Sequence, residues 1–274
     1  MTRTLFLAAA AVALSGCSWI GLGGSSAAPT YAPGGTYAAA AAPCCDERLS
    51  TWNLEASGGL SQIISGDLVT GSRASGGTVV NGIPNQLETV TFDGAYQDGW
   101  RAEAGLSRAL TPNRKVTLLG NYTRHESEGV VDLGVINGAA LSGEVTDYES
   151  YGAELGLRQY APIYRAPLLK SVRPYVEGRV GVNRVDSISL VNANQFPGQD
   201  IRFYDGTWVP TAAGLVGVET PFIGNSTLGL ETGVRYAGSL KSADSLGSVS
   251  PLSGANNGGE RWSVPVTLRG RFRF

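Results

Sequence analysis

The chain has 274 residues, a formal net charge of −2, 16% charged residues and 38 glycines. So balanced a charge speaks against a nucleic-acid binder, which needs a basic patch. No apolar run reaches the roughly 18 residues of a membrane-crossing helix, and a single His with three Cys at no metal-ligand spacing speaks against a metal centre.

The N-terminus reads as a targeting segment. Arg3 precedes the apolar run LFLAAAAVALSG, a secretory signal over residues 1–16. Its end, Leu14-Ser15-Gly16-Cys17, resembles the bacterial lipobox. That resemblance implies lipidation of Cys17 and handling by the lipoprotein processing and sorting machinery. Ser18, where Asp would favour inner-membrane retention, implies transfer to the outer membrane. The alternative is an ordinary signal peptide with an incidental Cys. Residues 17–49 are rich in Ala, Gly and Pro and read as a flexible tether with a reach of about 30 Å. Cys44 and Cys45 are adjacent, so a bridge between them would close a strained ring. They read as linker thiols or as partners for another chain.

From residue 50 to 274 alternating segments are separated by Gly, Asn, Asp and Pro, which predicts an all-β domain without a convincing helix. Eight strands are expected near 50–61, 99–110, 113–125, 147–160, 172–185, 206–220, 226–240 and 260–274. The connections alternate. Those near 111–113, 161–171 and 221–225 are short, whereas those near 62–98, 126–146, 186–205 and 241–259 are long and polar. Within the first long connection, TVTFDGAY alternates and is expected to extend its hairpin. Short turns at one end and long loops at the other are the asymmetry of a membrane-spanning barrel.

Period-two alternation gives each strand two unlike faces. One parity carries Glu55, Arg101, Glu103, Glu154, Arg158, Glu177, Arg179, Glu219, Glu231, Arg235, Arg269 and Arg271, six acids and six bases. Lys is scarce, present only as Lys115, Lys170 and Lys241. Arg is preferred where a planar fork must satisfy a carboxylate in a confined space. Gly105, Gly152, Gly156, Gly181, Gly217, Gly229 and Gly233 share this parity, leaving room for long side chains in a narrow bore. On the opposite parity Trp52, Trp100, Tyr122, Tyr151, Trp208, Tyr236, Trp262 and Phe274 lie near strand ends, as in an interfacial belt. The apolar face is therefore expected outside and the charged one inside. In the closing stretch SVPVTLRGRFRF, Val264, Val266, Leu268 and Phe272 should face lipid, and Arg269 and Arg271 a lumen of ion pairs. A soluble lipocalin-like barrel would reverse these faces.

This layout resembles the eight-stranded transmembrane domain of the OmpA type. The resemblance implies an antiparallel up-and-down transmembrane β-barrel in the outer membrane of a Gram-negative bacterium, with the lipid-anchored N-terminus periplasmic. Phe272 and Phe274 resemble the closing aromatics that the barrel assembly machinery recognises. Outer-membrane lipid and lipopolysaccharide are the other implied partners; no nucleic acid, cofactor or metal is expected. The sequence departs from full-length members of that family: a lipobox and tether precede the barrel, and no peptidoglycan-binding domain follows it.

Three functions fit this reading. The first is a non-enzymatic structural or surface-interaction protein, because no catalytic constellation stands out. The second is a small gated pore. The third is an outer-membrane lipid deacylase, since His125-Glu126-Ser127-Glu128 holds a base and a nucleophile two residues apart. Their parity, however, points them toward the lumen rather than the lipid.

Overall fold

The computed structural model describes residues 52–71, 86–161, 172–244, 252 and 254–273. Cys17, Cys44, Cys45, the signal and tether segments, most of the 161–171 connection and Phe274 lie outside these residues.

Eight long strands close a barrel. They are β1 (Trp52–Ser65), β5 (Gly99–Thr111), β6 (Arg114–His125), β9 (Tyr148–Tyr160), β10 (Arg173–Val185), β13 (Thr207–Pro221), β14 (Ser226–Ala237) and β16 (Arg261–Arg273). Each pairs antiparallel with its neighbours in the order β1-β16-β14-β13-β10-β9-β6-β5, and β5 returns to β1. This is the all-β up-and-down barrel that the alternation predicts. β1 is longer than expected, running on to Ser65 through an irregularity after Ile63, and β14 stops earlier, at Ala237.

The register determines which face meets which surroundings. Leu268 pairs with Gly58 on one side and Leu230 on the other, all pointing outward. Leu268 is 55% exposed, while its neighbours Thr267 and Arg269 are 2% and 3% exposed. The same alternation leaves Leu60, Leu118, Leu155, Val180 and Leu230 exposed on the outer wall. A soluble barrel buries its apolar face; this barrel buries Glu and Arg instead. The lipocalin-like alternative is overturned on that ground.

The hydrophobic core lies elsewhere. The long connections fold into a crown at one end of the barrel. Its main sheet has six strands in the order β15-β12-β11-β8-β7-β3. These are β3 (Gln86–Leu87), β7 (Val130–Ile136), β8 (Ala139–Val145), β11 (Ile188–Val191), β12 (Ile201–Asp205) and β15 (Lys241–Ser242). A smaller pair joins β2 (Asp67–Val69) to β4 (Val90–Thr91). Leu68, Leu133, Ile136, Leu141, Ile188 and Leu190 are almost fully buried here and belong to one cluster with Phe92, Phe203 and Tyr204. Loops that read as polar in the sequence thus hide an apolar interior. TVTFDGAY departs from its expected strand: after β4 it makes one helical turn, Phe92–Ala95, which buries Phe92 and Ala95.

Candidate functional site

The bore is the most distinctive chemical feature of the barrel, and every strand contributes to it. Inward residues sit at every second position, so Glu55, Glu103, Glu154, Arg158, Glu177 and Arg179 stack in layers along neighbouring walls. All twelve charged residues grouped by parity in the sequence are buried, none more than 7% exposed.

Their partners lie partly on adjacent strands and partly across the bore. Between neighbours, Arg158 Nε donates to Glu177 Oε2 at 2.8 Å and Arg269 Nη2 to Glu231 Oε1 at 2.8 Å. Across the bore, Arg158 Nη2 meets Glu55 Oε2 at 2.9 Å, and Arg179 Nη1 meets Glu103 Oε2 at 2.8 Å. Arg235 joins β14 to both Glu103 and Glu154, while Arg101 bridges the same two carboxylates. Lower down, Arg271 Nη2 holds Glu219 Oε1 at 3.0 Å. Hydroxyls complete the lattice: Thr117 and Tyr175 donate to Glu177 and Glu231 at 2.8 and 3.0 Å. Bidentate and shared guanidinium contacts of this kind are the strong, geometrically specific ones.

Space for these side chains comes from glycine. A Cβ on Gly156 would stand 2.3 Å from Thr117 Oγ1 and 2.7 Å from Glu177 Oε1. The missing side chain is therefore the room in which Glu177 and Arg179 lie. On the outer wall, a Cβ on Gly178 would meet nothing within 4 Å.

Two further cations lie inside, beyond the six acids and six bases that strand parity gives. Lys115 is 1% exposed and lies over the Tyr160 ring at 5.2 Å. Arg261 is 5% exposed and lies over the Tyr148 ring at 4.5 Å. Both hold the inward parity of their strands, so that parity, followed to the strand ends, was the available signal. Arg261 helps line a cavity of about 40 Å³ at the crown end of the bore, bordered by Arg101, Glu154 and Arg235 of the lattice. Asn183, also on its wall, exchanges amide hydrogen bonds with Asn121 at 2.9 and 3.2 Å.

Around the outer wall, aromatics gather at the crown end. Trp100 contacts Tyr122, Tyr151 contacts Trp208, and Tyr236 contacts Trp262, with ring centroids 5.1, 6.3 and 5.1 Å apart. Of the aromatics expected at strand ends, Trp52 stands at the opposite end, with Arg108 5.5 Å over its ring. Exposed Phe272, which pairs with Leu54, lies toward that end as well.

The candidate base and nucleophile are each engaged elsewhere. His125 is buried, with Nδ1 3.2 Å from the Gln97 carbonyl and its ring edge-on to Tyr148. Ser127 Oγ accepts from the Gly129 amide at 3.2 Å, and the Ser127 amide donates to Asp147 Oδ1 at 3.1 Å. That amide and the Arg124 guanidinium hold the Asp147 carboxyl below its ordinary range. No acid orients His125 toward Ser127 among the described residues, and the geometry is that of a rim turn.

No family model matches the chain, and no curated protein matches it. Among solved structures the chain is similar to Neisserial surface protein A, at 14% identity and a TM-score of 0.42, over 81% of this chain and 97% of that one. It is also similar to the attachment invasion locus protein Ail of Yersinia pestis, in complex with the heparin analogue sucrose octasulfate. There the identity is 11% and the TM-score 0.38, over 82% of this chain and 99% of that one. A third is the outer membrane protein OprG of Pseudomonas aeruginosa, at 15% identity and a TM-score of 0.40, over 82% of this chain and 98% of that one. The likeness is one of barrel architecture.

Proposed function

We propose that this chain is a non-enzymatic β-barrel of the Gram-negative outer membrane, a sealed scaffold that presents a folded crown to surface partners. The observation that carries this reading is the lattice of Arg and Glu crossing the bore. Eight strands leave an interior that side chains can fill, and here charged pairs drawn from nonadjacent strands fill it. Ions would have to break that lattice to pass.

The outer wall supports the membrane setting. Between Trp52 and Leu60, which faces girdle residue Trp100, β1 runs nine residues. A tilted strand needs about 9–11 residues to cross a bilayer. The aromatic girdle then marks the headgroup level on the crown side. Lipopolysaccharide and other outer-membrane lipid would meet that girdle, and the barrel assembly machinery would meet Phe272 and Phe274. The OmpA-type resemblance and the lipobox complete the proposal: Cys17 carries the lipid, the termini are periplasmic, and the crown is extracellular.

Planar-bilayer recording on the purified protein tests the sealed bore. No discrete conductance is expected, and steady channels would put the gated-pore reading first. Acyl labelling of parent and Cys17→Ser protein tests the anchor separately. Fatty-acid incorporation that survives the substitution would remove the lipoprotein part of the proposal.

A further inference from the structure

Beyond the six acids and six bases of the lattice, the described residues place one further buried guanidinium, Arg261, at the crown end of the bore. Cations gather there around one small cavity. Arg101, Arg235 and Arg261 line it, and Glu154 is the one carboxylate that does. Glu154 is already shared, accepting from Arg101 Nη2 at 3.0 Å and from Arg235 Nη1 at 3.0 Å. We propose that this chamber binds a small inorganic anion of the chloride class between Arg235 and Arg261.

Arg261 carries the argument. It donates to the Gly259 carbonyl at 3.1 Å and to the Tyr148 hydroxyl, and lies over the Tyr148 and Phe92 rings at 4.5 and 5.7 Å. Among the described residues no carboxylate pairs with it. Ring faces offset part of the cost of burying a cation, but they bring no counter-charge. A guanidinium does not escape by shedding its proton, as a buried Lys can. Water entering the chamber would satisfy hydrogen bonds and leave the charge uncompensated.

The placement suits an anion. Arg235 pairs with Ser263, and Arg261 with Ala237. The two arginines therefore stand diagonally on one inner face, about 7–8 Å apart at the backbone. Two donors on the chamber wall, Arg235 Nε and Thr211 Oγ1, are buried and have no hydrogen-bond partner. The volume, about 40 Å³, admits a small ion with little accompanying water. An ion here would also couple barrel and crown, because Arg261 rests on Phe92 of the crown's helical turn.

The test uses the purified full chain in detergent. In crystals soaked in sodium bromide, an anomalous peak is expected beside Arg261 and Arg235, and an empty chamber would overturn the proposal. In solution, the tryptophan-fluorescence melting midpoint is compared in sodium chloride and sodium gluconate at equal ionic strength. Chloride should raise the parent's midpoint, and Arg261→Lys should keep that shift. Arg261→Gln should lose it, or Thr211→Val should reduce it where Arg261→Gln does not fold. A chloride shift of equal size in parent, Arg261→Gln and Thr211→Val would place the effect elsewhere and sink the assignment.

Discussion

Arg158 on β9 reaches across the bore to Glu55 on β1, Nη2 to Oε2 at 2.9 Å, and neither side chain is exposed to solvent. The two residues lie 103 positions apart in the chain. Arg158 also holds Glu177, and Glu55 also accepts from Arg269 at 2.7 Å. Breaking a buried pair by removing one member leaves an uncompensated charge, so Arg158→Met should cost about 3–5 kcal/mol. Glu55→Gln should also destabilise, and the double variant should cost less than the two singles added together. Unfolding from lipid vesicles measures all three. Strict additivity with small losses would mean hydrated charges and a wet bore.

The outer wall makes a sharper demand. Leu268 sits mid-strand facing outward, 55% exposed. Leu268→Arg should cost about 2–4 kcal/mol in the same assay if the residue lies near the bilayer midplane. A cysteine at 268 should react with a lipid-soluble probe, and one at 267 should not. The opposite labelling pattern would invert the faces.

Glycine positions separate space from strand propensity. Gly156→Ala drives a methyl into Thr117 and Glu177, as the 2.3 and 2.7 Å approaches show. It should destabilise by about 1–3 kcal/mol, the usual range for overpacking. Gly178→Ala, next to nothing, should be neutral or stabilising by about 0.5–1 kcal/mol. Equal effects at the two sites would mean that the bore tolerates filling.

The crown should respond like a soluble core. Leu133 and Leu141 are 1% and 0% exposed. Truncating either to Ala should cost about 2–5 kcal/mol locally. Limited proteolysis should then cut within the crown while the barrel fragment keeps its compact gel mobility. Simultaneous loss of both would show that crown and barrel unfold as one unit.

Asp147 gives the rim a pH dependence. Its carboxylate accepts from the Ser127 amide at 3.1 Å and from Arg124 at 2.8 Å, and its pKa is lowered from the ordinary 3.8. A depressed pKa contributes stability above the unfolded value, and that stability is lost as pH falls through the folded value. Hydrogen exchange at Ser127, corrected for its intrinsic rate, should therefore quicken only below about pH 3.8. In Asp147→Asn it should already be fast and show no such step. A parent amide that stays protected through the whole acid range would contradict the linkage.

Much of the barrel is legible in the sequence, because a strand's side chains alternate with period two and nothing else in the chain has to be known to read that. The alternation in SVPVTLRGRFRF places Leu268 and Arg269 on opposite faces from local information alone. The same parity, read to the strand ends, reaches Lys115 and Arg261. What alternation lacks is any term for distance across a closed sheet. Arg158 meets Glu55, and Arg235 meets Glu154, only because closure brings nonadjacent strands to opposite walls of one narrow bore. The crown was hidden for a related reason. Its strands are only two to seven residues long and pair between different connections, β11 with β8, β12 with β15 and β3 with β7. Segments that short carry too few periods to declare a face, so the apolar interior they share was decided by tertiary contacts alone.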